Sequence, residues 1–258
     1  MASKILVDEL APHAHATDVT LTTGKNITGA NTQFKITGGS SGNVLTTDGS
    51  GALTWGAIAA GFTGVHSDVT SGSETYEVPP GVTKILVFLT GGGAGGGQGS
   101  ASNEGTGGPS AGTAIVQVDV VAGAIITILI GLGSAGNTIG GDSTFTHSSG
   151  GGAFDTITAP GGQAGVTHGT PTAPTLPTIG ASNEGIAVKG GSGSPPAHNA
   201  TVGSASFWGG GGTGGYNGVA VASPAYSFGA GGGGGISTAG YRDAGSGADG
   251  CCFIMEFK

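Results

Sequence analysis

Residues 84–99 read KILVFLTGGGAGGGQG. Aliphatic and β-branched residues run straight into glycines at 91, 93 and 96, the formal spacing of a strand that hands a dinucleotide phosphate to a helix N-terminus. That reading needs a helix after the glycines, because the helix end supplies the dipole and the free N–H groups. The continuation, QGSASNEGTGGPSAG, has no helix-forming run and no apolar period of 3.6. In a chain with 59 glycines among 258 residues, such a match arises by chance.

Collagen is excluded too, since the runs lack a glycine at every third position. A flexible linker would form one block, whereas windows with six glycines in seven residues recur at 91–97, 209–215 and 229–235. Smaller clusters lie between them. What remains is glycine used to let backbones approach. Extended left-handed helices of three residues per turn make no internal hydrogen bonds. Stripped of side chains, they can lie side by side and satisfy one another's N–H and C=O groups.

The bulk composition favours order. Only 9% of residues are charged, and the mean hydropathy is +0.17, unlike the charged, polar profile of disordered chains. The net charge is −8, and no Lys or Arg stands between Lys84 and Lys189. This excludes the basic footprint that nucleic-acid binding requires. The start, MASKILVDELAP, has too short an apolar run for a cleaved signal, and no apolar stretch nears membrane-spanning length. The adjacent Cys251 and Cys252 read as buried small hydrophobes made in a reducing compartment.

Two regions differ. Residues 1–61 hold 9 glycines and alternate short β-like pieces (DVTLTT, TQFKIT, NVLTTD, ALTWGA) with turn signals. None of these pieces could bury a core alone, which predicts an arm in which several chains wrap around one another. In residues 62–258, TYEVPPGVTKILVFLT supplies two strands around a Pro-Pro-Gly turn. GTAIVQVDVVAGAIITILIGLG adds two strands, and GCCFIMEFK closes. The expected fold is all-β: an extended N-terminal arm, then a β-sandwich-like domain with stacked polyglycine-II-type helices and no substantial α-helix. Between the fourth strand and the last, only glycine stacks and loops are expected.

These motifs resemble a known group. TYEVPPGVTKILVFLTGGGAGGG, DVVAGAIITILIGLGSAG and GADGCCFIMEF are similar to the glycine-rich domain of bacteriophage tail fibres and adhesins, over about residues 62–258. MASKILVDELAP and GNVLTTDGSGALTWGA resemble virion-proximal segments of fibre proteins from phages of marine cyanobacteria. The resemblance implies layered polyglycine helices with loops at a tip that contacts host cells. It also implies an N-terminal segment, residues 1–61, that trimerises and attaches to other virion proteins. The expected protein is a homotrimeric virion component, assembled in the host cytoplasm and acting outside the cell. Its expected partner is a bacterial surface glycan or outer-membrane protein. A head fibre, collar or capsid-decoration protein would share this plan. A polysaccharide depolymerase is the rival from another class, but no long β-helix with a carboxylate cleft is apparent.

Candidate residues follow from chemistry. Trp208, Tyr216, Tyr226 and Tyr241 offer aromatic faces of the kind that grip sugars, unless they fill gaps between glycine stacks. Arg242 either clamps an acidic sugar or pairs with Asp243. The pentapeptide ASNEG occurs at 101–105 and again at 181–185, which predicts similar loops and adds Asn183 and Glu184 to the receptor-binding set. Paired carboxylates hydrolyse glycosides at about 5–10 Å, but Glu104 and Glu184 in repeated turns do not make such a pair, and no enzymatic activity is expected. No cofactor is expected either, apart from one option. His13 and His15, two apart on a strand, would present six imidazoles around a threefold axis, a set suited to a transition metal; the alternative is a solvated arm.

Overall fold

A computed structural model describes residues 43–47, 53–57, 61–100, 103–196, 201–215, 221–236 and 243–258. They fall into two compact units, divided between Ile58 and Ala59. The described part of the first unit is a hairpin of β1 (Asn43–Thr47) and β2 (Leu53–Ala57), paired antiparallel from Asn43–Ala57 to Thr47–Leu53.

The described residues are all-β, with no helix. Nine strands form two antiparallel sheets. The first sheet has the order β10 (Glu184–Val188), β6 (Thr113–Asp119), β5 (Lys84–Thr90), β11 (Cys251–Phe257), β3 (Phe62–Asp68). The second has the order β4 (Gly72–Glu77), β7 (Ile125–Ile130), β8 (Ser143–Ser149), β9 (Ile157–Ala159). The Pro-Pro-Gly turn therefore crosses between layers, because β4 and β5 lie in different sheets. The same holds for β6 and β7, joined through the turn at Ala122-Gly123.

Alternation along the strands builds the core. Ile85, Val87 and Leu89 of β5, Ile126, Ile128 and Ile130 of β7, and Ile254 of β11 are fully or almost fully buried. They meet Val116, Phe145 and Ile157 in one apolar cluster between the layers. Burying each of the larger side chains contributes about 1.5–3 kcal/mol.

Three strands, β8, β9 and β10, lie where only glycine stacks and loops are expected. STFTHSS of β8 alternates as a half-buried strand does, but its threonines and serines hide it among polar loop residues. β9 is three residues long, and β10 holds a glycine, both of which weaken any strand signal.

Apart from β3 and β4, which a short turn at 69–71 joins, the strands of the second unit each run at one end into glycine-rich segments that form rods beyond the sheets. β5 runs into 91–97, and residues 105–112 return into β6. The rod at 91–97 shows the principle. Gly91, Ala94 and Gly97 donate their N–H groups to Gly112, Pro109 and Thr106. Gly93 and Gly96 donate to Ala248 and Gly245, and Gly92 donates to Gly141. Its carbonyls at Gly92 and Gly95 accept from Gly162 and Gly165, while those at Ala94 and Gly97 accept from Gly232 and Gly235. The partners change with every residue and recur every third, the period of a polyglycine-II helix.

The lattice repeats this rule. Gly105, Gly108 and Ala111 donate to Gly235, Gly232 and Gly229, all at 2.8 Å. Thr106 and Gly112 donate to Val166 and Pro160; the position between them in that series is Pro109, which has no N–H to give. Close approach is what requires glycine here. A Cβ on Gly96 would overlap the carbonyl of Gly233, and one on Gly108 the carbonyl of Ala94.

Candidate functional site

The ends of this unit differ. The outgoing runs 91–97, 190–194, 211–215 and 229–236 are each followed by a returning run, at 105–112, 201–204, 221–225 and 243–250. The run ends that these four connections join share the lattice face away from the sheets. At the opposite end lie the first and last residues of the unit's sheet, where Lys258 N–H donates to the Gly61 carbonyl at 3.2 Å.

Of the aromatic candidates, Trp208 and Tyr226 stand on turns at the sheet side of the lattice. Ser206 N–H donates to the Gly209 carbonyl at 2.8 Å, closing the tight turn that carries Trp208. The half-buried indole lies against Phe253 and Phe207 (centroids 5.1 Å each), Phe88 (6.3 Å) and Phe228 (6.5 Å). Its Nε1–H donates to Thr90 Oγ1 at 2.8 Å. Phe88 and Phe253 belong to the outer face of the five-stranded sheet, so Trp208 pins the 201–215 excursion onto that face. Its polar handle is already used inside the fold. Tyr226, by contrast, is 86% exposed. Tyr216, Tyr241 and Arg242 lie outside the described residues, as do His13 and His15.

The two ASNEG copies do not share a geometry, which corrects the expectation of similar loops. Asn103 and Glu104 follow the outgoing rod at the lattice end, where Ser100 N–H donates to the Asn103 carbonyl at 2.7 Å. Asn183 immediately precedes β10 and Glu184 begins it, at the sheet end. One copy ends a rod and the other begins a strand, so identical residues meet different neighbours.

Asn183 and Glu184 border a cleft of about 320 Å³, lined also by Lys84, Gln117, Asp119 and Phe154. The start of β5 brings Lys84, the end of β6 brings Gln117 and Asp119, and the stretch after β8 brings Phe154. Lys84 Nζ pairs with Asp119 Oδ1 at 3.2 Å. The 179–184 wall is tied to the 150–156 wall through Asp155. Its Oδ2 accepts from Ser182 N–H at 2.9 Å and from Ser182 Oγ at 2.7 Å. These bonds, the backbone one first, hold the Asp155 carboxyl below its usual range. Asn183 Nδ2 donates to the Asp155 carbonyl at 2.9 Å and to the Ile179 carbonyl at 2.6 Å. Phe154 is backed by Phe145, stacked at 5.6 Å and 22°.

Among the described residues, no three His, Cys, Asp or Glu side chains are grouped so as to hold a metal ion. No described helix is long and apolar enough to cross a membrane.

The sequence matches the glycine-rich domain family over residues 67–255. The chain belongs to that family. The match takes in β4 to β10 and most of β11, so the glycine-rich domain is the sandwich and its lattice together. Compared with curated proteins, the sequence matches none.

Proposed function

We propose that this protein is a phage virion component, a trimeric fibre that meets the bacterial surface with the lattice end of its glycine-rich domain. The observation that supports this reading is that the described ends of four successive pairs of outgoing and returning runs lie together on the face of the hydrogen-bonded bundle away from the sheets. The chain enters and leaves the sheets at the other end. Rods whose N–H and C=O groups bond one another are stiff without depending on side-chain packing, and their connections are free to vary. Such a scaffold presents loops. On this reading residues 1–61 attach to the particle, and Tyr216, Tyr241 and Arg242, which fall in the connections, are the first residues to test for receptor contact.

The test is adsorption of the fluorescently labelled full-length chain to a panel of bacteria, alongside the Tyr216→Ala and Tyr241→Ala variants. Strain-selective labelling that weakens in these variants is the expected result. Labelling of no strain by the folded chain would overturn receptor binding in favour of a collar or decoration role. Light scattering gives the second readout: a stable monomer of 24.3 kDa would overturn the trimer.

A further inference from the structure

The cleft at the sheet end lies away from the proposed tip, and its composition suits a different task. We infer that it is a recognition site for a single pyranose ring, neutral or amino-substituted, such as the terminal unit of a glycan. Four observations carry this. Its volume of about 320 Å³ is at the lower end of small-molecule sites and suits one ring better than a chain. Donors and acceptors both line it: the Lys84 ammonium and Gln117 amide can donate, while the Glu184 and Asp119 carboxylates and the Gln117 carbonyl can accept. A ring of hydroxyls, each both donor and acceptor, complements such a set, whereas a simple ion or an apolar molecule would leave half of it unmatched. Phe154 adds apolar surface for the C–H groups of a sugar face, and Phe145 holds that ring in place.

The fourth observation is rigidity. The Asp155 and Asn183 bonds fix one wall to the other before any ligand arrives, which lowers the ordering cost of binding. Charge then selects. Lys84 is neutralised by Asp119, which leaves the rim negative through Glu184 and the Asp155 carboxylate that ties the walls together. Uronic and sialic acids are repelled and amino sugars attracted.

The inference does not rest on the role of the lattice end, and its test uses no cells. Saturation-transfer NMR on the full chain would probe the methyl glycosides of glucose, galactose, glucosamine and glucuronic acid. Binding of at least one neutral or amino glycoside is expected with a Kd of about 1 mM, as befits one small ring. The glucuronide is expected to bind at least tenfold more weakly. Gln117→Ala, an exposed position on a strand, should weaken binding by about tenfold with the melting temperature unchanged. Glu184→Gln should narrow the gap between glucosaminide and glucuronide. Absence of saturable transfer from any of the glycosides would overturn the inference. So would binding that neither substitution changes.

Discussion

Replacing Gly93 with alanine puts a methyl group where the neighbouring rod already is. The new Cβ would overlap the Ala230 carbonyl oxygen, with the carbonyl carbon at 2.5 Å and the Gly229 oxygen at 2.9 Å. Ordinary carbon contacts begin near 3.5 Å, so the 229–236 rod must retreat by about 1 Å. Three hydrogen bonds pass through that place: Ala248 N–H to Ala230 at 3.0 Å, Gly93 N–H to Ala248 at 2.8 Å and Gly232 N–H to Ala94 at 2.9 Å. A retreat of this size takes bonds in its path beyond useful length. Leaving their buried groups unsatisfied costs about 1–3 kcal/mol each, so the expected loss over three bonds is about 3–9 kcal/mol. That is a large share of the 5–15 kcal/mol typical of a folded domain, on the order of what one substitution can remove.

The control is Gly210→Ala, where a Cβ meets nothing within 4 Å. It should change stability by no more than about 0.5 kcal/mol, with a small gain from the stiffer unfolded chain. Urea denaturation of the full chain, followed by tryptophan fluorescence, measures both. A Gly93→Ala variant within about 1 kcal/mol of the parent, or equal to Gly210→Ala, would refute backbone contact as the reason for the glycines.

Alkaline pH should unfold the domain through three buried groups. Burial pushes the Cys251 thiol up to about 12 and Cys252 well above its ordinary value; burial, then Glu256, which accepts the Tyr76 hydroxyl at 2.9 Å, raises Tyr76 as well. Each folded value lies above the unfolded one, so stability is full below about pH 8.5 and falls as pH rises, by about 1.4 kcal/mol per unit for each group titrating only in the unfolded chain. Denaturation midpoints that stay level from pH 8 to 11 would contradict this, and native thiols should resist Ellman's reagent until the chain unfolds. For Trp208, substitution by Phe should cost about 1 kcal/mol, the lost bond to Thr90, and substitution by Ala about 2–4 kcal/mol. Thermal denaturation reads both, and no loss in either variant would mean that the indole does not pin the 201–215 excursion.

The sequence announced the material of the domain better than its arrangement. Glycine clusters without helix formers point to rods, and the aliphatic runs at 84–90 and 125–130 point to core strands, because burial on one face leaves a periodic trace. Which rod lies beside which leaves no trace, since one glycine is chemically like another and partners are set by phase along the rod. Lattice contacts such as Gly93 with Ala248 span 155 residues and involve no distinguishing side chain. The cleft was half legible. Asn183 and Glu184 stood out as a copy of Asn103 and Glu104, yet the structure separates the two copies. Their actual companions, Lys84, Gln117 and Phe154, come from distant segments whose strand and turn patterns carry no sign of convergence.

The three-residue recurrence of partners sets the step by which such a domain can grow. One residue inserted into a rod turns everything beyond it by a third of a revolution, aiming each N–H at the wrong neighbour. Three inserted residues restore the aim and lengthen the rod by about 9 Å, but the new layer has no partners unless the adjoining rods lengthen with it. Height is therefore quantised and collective, whereas the segments that join rods at the far face are exempt from both conditions. Change is channelled to that face, and descendants of one ancestor should differ there freely in length while keeping the same number of storeys beneath.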